Sequence, residues 1–209
     1  MIAIIDYEGG NLASVLRALD HLGHEAVITA DASAIRAADR VILPGVGAAR
    51  ATMSNLRKRG LDVLLREEIA PRGTPFLGIC IGVQVIFEHS EEEDTPCLGV
   101  LKGRVKRFHP EAGAGEHLKV PQIGWNQVKF RKPHPLFVAV EDNQSFYYVN
   151  SYYPVPDDDD VVYATTVYGV EFTSVVGKNN LVATQFHLEK SGPPGLKMLD
   201  NFCRWDGTL

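Results

Sequence analysis

The first half of the chain alternates short apolar runs with segments of helical periodicity, and this alternation restricts the fold more than any other feature. The apolar runs are typical of buried strands and cover residues 2–6, 25–29, 40–44 and 75–79. Apolar residues recur at helical spacing between Leu12 and Leu19, and the stretches 48–59 and 61–71 have the same periodicity. Strands that alternate with helices form βαβ units, and such units build a parallel sheet.

The second half of the chain has many short β-rich segments and little helical periodicity. These segments are residues 99–108, 124–130, 145–153, 161–168, 170–176 and 181–186. Residues 177–180 form a good hairpin turn between the last two strands, and a final helix is predicted over 195–205. We therefore expect a single α/β domain over residues 1–209, with a mostly parallel sheet to which the second half adds antiparallel strands.

The charge and cysteine content argue against several classes of function. The net charge is −5 at pH 7, so the chain has no electrostatic footprint for nucleic acid. No apolar run approaches the ~20 residues that span a bilayer, and no membrane association is expected. Cys80, Cys97 and Cys203 are odd in number and form no CxxC pair, which argues against a disulfide framework and a zinc site. We expect a reduced, cytoplasmic protein without metal or cofactor.

The strongest local signal is the segment PFLGICIGVQ, residues 75–84. A buried strand runs into Cys80 and a helical pattern follows, which is the order of a nucleophile elbow with cysteine in place of serine. Gly78 and Gly82 suit a strained, closely approached turn, and the start of a helix favours a thiolate. The N–H of Ile81 would then face a developing oxyanion. The alternative is a structural cysteine in a glycine-rich turn.

A thiolate nucleophile needs a base that is itself held in place, and the segment QFHLEKS, residues 185–191, supplies one. His187 follows an apolar strand and Glu189 lies two residues on, so both side chains share a face if the strand pattern persists. Taken singly, they are equally typical of a backbone-bonded histidine at a strand end and a surface carboxylate. Together with Cys80 they indicate a catalytic triad.

Two further segments allow a functional and a plain structural interpretation. The segment PGVG, residues 44–47, follows a predicted strand and is the best candidate for a second oxyanion donor, through the backbone of Val46 or Gly47. Its alternative is an ordinary strand-to-helix turn. The acidic run at residues 157–160 is interpreted as a solvated loop, with a metal site as the weaker alternative.

The segments GICIGVQ and QFHLEKS, in the order Cys…His-x-Glu, resemble those of class I glutamine amidotransferases. Two other segments, residues 6–15 (DYEGGNLASV) and 121–126 (PQIGWN), narrow the resemblance to the glutaminase subunits of imidazole glycerol phosphate synthases. Residues 150–152 (NSY) resemble a segment that borders the glutamine site in that family. The resemblance covers nearly the whole chain and implies a flavodoxin-like sheet.

The resemblance also implies a mechanism. Cys80 would attack the side-chain amide of glutamine and form a thioester through an oxyanion. His187 would protonate the departing ammonia and then activate water, while Glu189 would position His187. The residues at positions that hold glutamine in the family are Gln84, Glu92, Ser151 and Tyr152.

A partner is implied as well. Ammonia would pass to a (β/α)₈-barrel cyclase subunit in a heterodimer and react there with a phosphorylated aminoimidazole-carboxamide ribonucleotide. The products would be imidazole glycerol phosphate, for histidine biosynthesis, and a purine precursor. Because ammonium is no nucleophile, a sealed passage preserves the reactive neutral form.

Two positions depart from the family pattern. Val83 stands where methionine is usual, and Leu188 stands where proline is usual between the histidine and the glutamate. Leucine lacks the fixed φ of proline and restores an N–H, which would loosen the link between His187 and Glu189.

Three other functions compete with this interpretation. In the first, the same glutaminase chemistry serves a different synthase, such as one that amidates surface sugars. An anthranilate-type synthase is disfavoured by the segments at 6–15 and 121–126. A non-catalytic scaffold subunit would have no need of an intact triad. A stand-alone cysteine hydrolase would have no need of partner-facing segments.

Overall fold

A sheet of eight strands forms the centre of the molecule. The computed structural model describes residues 1–112 and 118–209. The strands, in chain order, are β1 Ile2–Ile5, β2 Ala26–Thr29, β3 Arg40–Leu43, β4 Phe76–Ile79, β5 His89–Ser90, β6 Thr95–Pro96, β7 Gly103–Arg107, β8 Gln122–Gln127, β9 Lys129–Phe130, β10 Ser145–Asn150, β11 Tyr152–Pro156, β12 Val162–Tyr168, β13 Val170–Lys178 and β14 Leu181–Thr184.

The central sheet has the strand order β2-β1-β3-β4-β14-β13-β12-β9. It is parallel from β2 to β14 and antiparallel from β14 to β9. This order confirms the prediction of an α/β fold whose mostly parallel sheet receives antiparallel strands from the second half. The last strand, β14, lies beside β4, so the segments that carry Cys80 and His187 leave the sheet at the same edge.

Helices cover both faces of the sheet. They are α1 Leu12–His21, α2 Ala32–Ala37, α3 Ala49–Lys58, α4 Leu61–Val63, α5 Ala70–Arg72, α6 Ile81–Val85 and α7 Gly192–Arg204, and a π-helical turn, Leu64–Ile69, joins α4 to α5. Alternate residues of β1 enter different cores: Ile4 packs with α1 and α7, and Ile5 packs with α3 and α6. Because both faces are covered, such strands are apolar throughout, which is the pattern seen in the sequence.

Two smaller sheets lie beyond the central one. One has the order β11-β7-β5-β6, and the other is the antiparallel pair of β8 and β10. The predicted strand over 145–153 is divided between them, because the chain changes partner at Ser151: β10 pairs with β8, and β11 pairs with β7. The β8–β10 ribbon contacts the segment after β14 through one antiparallel bridge between Tyr147 and His187.

Some elements differ from the sequence prediction. Helix α2 is not predicted, since its six residues are too few to show a period; Asp31 caps it by accepting from the N–H groups of Ser33 and Ala34. The acidic run ends in a short 3-10 turn, Asp159–Val161, and Asp159 pairs with Arg131. Among residues 1–112 and 118–209, no cluster of three or more potential ligands is placed to hold a metal ion, and no helix is long and apolar enough to cross a membrane.

Candidate active site

Cys80 occupies the sharp turn between β4 and α6. Its backbone has φ 55° and ψ −101°, a strained conformation for a residue with a side chain. The turn is fixed to the neighbouring strand, because the N–H of Cys80 donates to the carbonyl of Thr184 at 2.8 Å. A β-carbon on Gly82 would overlap the carbonyl oxygen of Leu43, and one on Gly78 would lie 2.9 Å from the backbone of Gly82. The glycines are therefore required by close approach of backbone, as the elbow interpretation assumes.

His187 and Glu189 form a buried pair. The imidazole Nδ1 lies 2.8 Å from Glu189 Oε1, and each side chain is 2% exposed. Within the described ranges, neither His187 Nε2 nor Glu189 Oε2 has a hydrogen-bond partner. Nε2 is thus the atom left for proton transfer, because the carboxylate fixes Nδ1 as the donor to it.

The pKa of His187 reflects its surroundings. Burial disfavours the imidazolium, but the Cys80 sulfur and the Glu189 carboxylate outweigh burial and raise the pKa to about 10. The imidazole is therefore protonated near neutral pH when it faces a thiolate. Burial raises the pKa of Cys97 to about 11 and that of Cys203 to about 12, so these two cysteines remain neutral thiols.

A 3-10 turn, Leu188–Lys190, brings His187 and Glu189 together. The expectation that a continuing strand aligns them is wrong, because β14 ends at Thr184. His187 donates its N–H to the carbonyl of Tyr147 at 2.9 Å. Ser191 Oγ donates to the carbonyl of His187 and accepts from the N–H of Tyr147, so it ties the turn to β10.

A cavity of about 220 Å³ opens beside Cys80. Its wall contains every oxyanion and substrate residue predicted from the sequence, and also Pro121, Val149 and Asn150; the predicted set is Val46, Gly47, Ile81, Gln84, Glu92, Ser151 and Tyr152. The volume lies below the ~300–1,000 Å³ of drug-sized ligand sites and suits a ligand of amino-acid size. His187 and Glu189 do not line the cavity, and Cys80 is the residue of the predicted triad that does.

The cavity wall is held by polar contacts. Glu92 Oε2 accepts from the N–H of Ala49 at 2.7 Å and so fixes the start of α3 behind the 44–47 loop. Burial raises the pKa of the Glu92 carboxyl, with the Ala49 N–H acting against it. Gln84 Nε2 donates to the carbonyl of Tyr152 and to Gln185 Oε1, each at 3.1 Å.

Two residues that contact Cys80 or His187 are also missed by sequence reasoning. Gln185 is fully buried, and its Nε2 lies 3.7 Å from Cys80 Sγ. Ser191 holds the backbone of His187, as described above. The register of β14 with β4 pairs Thr184 with Ile79, so the residues that follow them, Gln185 and Cys80, are neighbours. This register is the information that would have identified Gln185.

Comparison with known proteins identifies the family of the chain. Residues 3–205 match the family described as glutamine amidotransferase class-I. The chain is 51% identical over 203 residues to the imidazole glycerol phosphate synthase subunit HisH of Dehalococcoides mccartyi (strain ATCC BAA-2266 / KCTC 15142 / 195), covering 97% of this chain and 96% of that protein. It is 48% identical to the same subunit of Aromatoleum aromaticum, covering 98% of each.

Solved structures share the fold at low sequence identity. A crystal structure of a glutamine amidotransferase superposes with a TM-score of 0.70 at 19% identity, covering 98% of this chain and all 100% of that one. The structure of PurLQS from Thermotoga maritima gives 0.69 at 20% identity, covering 97% of each chain. The chain therefore belongs to the class-I glutamine amidotransferase family and, within it, to the HisH subunits of imidazole glycerol phosphate synthase.

Proposed function

We propose that this chain hydrolyses glutamine to glutamate and ammonia with a Cys80–His187–Glu189 triad and delivers the ammonia to a cyclase subunit. The observation that carries the proposal is the position of Cys80, strained at an elbow between the buried His187–Glu189 pair and an amino-acid-sized cavity. The relatives at about half identity are named as synthase subunits, and this supports the assignment to histidine biosynthesis.

The chemistry requires two acyl-transfer steps. The Cys80 thiolate attacks the side-chain carbonyl carbon of glutamine, and the protonated His187 gives its proton to the departing nitrogen, so that ammonia leaves and a thioester remains. Water then attacks the thioester and gives a proton to His187 Nε2. The collapse of the second intermediate releases glutamate and restores the thiolate. Glu189 keeps Nδ1 hydrogen-bonded throughout, so the same nitrogen always faces the reaction.

The negative charge on the carbonyl oxygen needs preorganised donors in both steps. The N–H of Ile81 follows the nucleophile directly, and the 44–47 loop forms the opposite wall of the cavity through Val46 and Gly47. We assign the oxyanion hole to these backbone groups.

The cavity also offers recognition for the rest of glutamine. The carboxylate of Glu92 stands at its wall and would counter the charge of the substrate α-ammonium group. The carbonyl of Tyr152 already accepts from Gln84 Nε2 and Asn150 Nδ2, whereas the carbonyl of Ser151 accepts only from the Phe108 N–H and keeps one lone pair for the substrate. Gln84 completes this wall.

The chain is a subunit of a synthase complex, and we propose that its partner is a (β/α)₈-barrel cyclase. Ile123 and Trp125 on β8 are 64% and 59% exposed, and such an apolar surface beside the site suits a partner that receives ammonia directly. We further propose one domain over residues 1–209, whereas the cytoplasmic location stays a prediction.

The test is glutamate release from glutamine by the purified chain, alone and with a histidine-pathway cyclase plus its nucleotide ligand. We expect low activity alone and strong stimulation by cyclase and ligand, lost in Cys80→Ala. High activity without the cyclase would identify a stand-alone hydrolase. Binding without any hydrolysis would identify a scaffold, and absence of binding would point to a different synthase.

A further inference from the structure

Gln185 lies next to the nucleophile because of strand register. β14 and β4 are parallel neighbours, Thr184 stands beside Ile79, and the Cys80 N–H donates to the Thr184 carbonyl at 2.8 Å. The following residue on β14 is Gln185, whose own N–H donates to the Ser174 carbonyl at 2.8 Å. The backbone of Gln185 is thus fixed from one side by β13, and its side chain is fully buried beside the sulfur.

The orientation of the Gln185 amide follows from its neighbour. Gln84 Nε2 donates to the carbonyl of Tyr152, which accepts only, so the Gln84 amide has its nitrogen on this side. The same nitrogen lies 3.1 Å from the Gln185 amide and therefore requires the oxygen of that amide. Gln185 Nε2 is consequently the atom that points at Cys80 Sγ, at 3.7 Å.

A backbone carbonyl and a side-chain amide next to the Cys80 sulfur have opposite effects on its protonation. The carbonyl oxygen of Val149 lies 3.9 Å from Sγ and accepts from a thiol, so it favours the neutral form. The Gln185 N–H donates to the sulfur and favours the charged form, because a donor binds a thiolate more strongly than a thiol.

We propose that Gln185 is a further catalytic residue, which holds the Cys80 sulfur as a thiolate in the resting site and receives it again when the thioester is hydrolysed. The inference rests on the proposed function, since it assigns a role at the same nucleophile. In the first step the sulfur gives an electron pair to the glutamine carbonyl carbon, and the N–H···S contact weakens. In the last step the carbon–sulfur bond breaks, the pair returns to sulfur, and the contact re-forms.

Stabilising a thiolate increases the reaction rate only as far as it converts thiol into thiolate. While most of a sulfur is still protonated, one unit of stabilisation raises the thiolate fraction about tenfold and lowers nucleophilicity only about threefold for a Brønsted slope of 0.4–0.5, a net gain of about threefold. The gain therefore lies in forming the resting thiolate, and stabilisation beyond that point would lower nucleophilicity without adding thiolate. A donor to sulfur also makes sulfur a better leaving group in the last step.

The test compares alkylation of Cys80 by iodoacetamide across pH in the wild-type chain, Gln185→Met and Gln185→Glu, with the modified peptide identified by mass spectrometry. Methionine keeps the volume and removes the donor. Glutamate keeps the acceptor for Gln84 and places an acceptor against the sulfur, so this variant remains informative if methionine impairs folding. We expect the alkylation midpoint to rise by about one pH unit with methionine and further with glutamate.

The matched control is Asn180→Leu. Asn180 is another buried amide with two hydrogen bonds, to the carbonyls of Ile69 and Thr74, but it precedes the opposite end of β14. The Asn180→Leu variant should retain the wild-type midpoint of Cys80 alkylation. An unchanged midpoint in the Gln185 variants that fold, or an equal shift in Asn180→Leu, overturns the proposal.

Alkylation separates this inference from the proposed function, because it requires no turnover. A wild-type chain in which Cys80 reacts no faster than Cys97 would overturn the triad, and this inference with it. If Cys80 is reactive but its alkylation has the same pH profile in the wild type and in the Gln185 variants, this inference alone is overturned.

Discussion

Cys80 has a backbone with positive φ, lies next to the buried imidazole of His187 and lines the cavity. The conformation is held because the N–H of Cys80 is bonded to Thr184 and because Gly78 and Gly82 let the neighbouring backbone approach. Strain of this kind costs of order 1–3 kcal/mol and persists only when the surroundings impose it. Cys80 lines the cavity as a result, while His187 stays buried.

Replacement of triad residues should have unequal effects. Cys80→Ser should reduce glutamine turnover by at least about 10³-fold, since a hydroxyl does not ionise near neutral pH. Glu189→Gln should reduce it by roughly 10²-fold, because the carboxylate orients His187 but does not react. Steady-state kinetics of the partner-activated enzyme would decide this. Equal losses in the two variants would contradict a purely orienting role for Glu189.

The His187 pKa predicts how stability depends on pH. The folded state raises this pKa from 6.5 to about 10, so the protonated imidazole stabilises the fold below pH 6.5 and the stabilisation is lost as pH rises towards 10. Cys80→Ala removes the strongest favourable partner of the imidazolium and should flatten this dependence. Urea unfolding of both chains at several pH values between 6 and 10 would measure it. Parallel curves would exclude the pair as the cause.

At the scale of elements, the site is built where strands end and short turns begin. Cys80 lies between β4 and α6, and His187 lies between β14 and a 3-10 turn. Leu188 occupies the first position of that turn, where an N–H needs no helical partner, and its side chain is fully buried. The absence of proline there is therefore offset by packing and by the Ser191 contacts, rather than leaving the turn loose.

Gly82→Ala should disrupt the elbow. The added methyl group would overlap the Leu43 carbonyl, and relief of the overlap requires movement of β3 or α6, which costs about 1–3 kcal/mol of unfolding free energy. Gly60→Ala is the control, because Gly60 has φ +67° but nothing within 4 Å of the new methyl group. Urea unfolding should show the larger loss for Gly82→Ala, together with loss of Cys80 alkylation. Because Gly82 has no positive φ, equal losses would mean that the overlap with Leu43 costs no more than the strain of a side chain at the positive φ of Gly60.

Ser191→Ala should impair the base without removing it. The hydroxyl links the His187 carbonyl to the Tyr147 N–H, so its loss frees the turn that orients the imidazole. Turnover should fall about tenfold with little change in KM, because the cavity wall is untouched. Steady-state kinetics would test this. A changed KM with unchanged kcat would place Ser191 in substrate binding instead.

The sequence predicted the strands and helices that show a clear period, and missed what depends on tertiary contacts. The parallel strands could be predicted because both of their faces are buried, which makes them apolar runs. The turn at Cys80 could be predicted because Gly78 and Gly82 flank the cysteine. The contact between His187 and Glu189 was expected for the wrong reason, since a turn and not a strand produces it. Gln185 was missed because nothing in a local segment reveals which residue stands beside Cys80 across two strands.

At the scale of the whole molecule, the β8–β10 ribbon joins an exposed surface to the triad. Trp125 on β8 packs edge-on against Tyr147 of β10, with ring centroids 6.0 Å apart. The carbonyl of Tyr147 accepts from the His187 N–H. A partner seated on Ile123 and Trp125 would therefore lie two contacts away from His187, the proposed base.

Trp125→Ala should weaken binding of the cyclase by about 2 kcal/mol, because a large exposed aromatic ring is the residue type that dominates interfaces. Val63→Ala on α4, where the side chain is 43% exposed, is a control outside the ribbon and should bind normally. Titration calorimetry with the purified cyclase would measure both. Equal affinities for wild type and Trp125→Ala would place the interface elsewhere.

The pairing of β4 with β14 also determines when activity arises during synthesis. A nascent chain that has emerged through α6 contains the proposed nucleophile Cys80 and its glycines, but the strand that holds Cys80 in place and the proposed base come from residues 181–191. The ribosome must release that segment before the parallel pair can close. We therefore expect unfinished or prematurely terminated chains to contain Cys80 without its proposed base and to consume no glutamine.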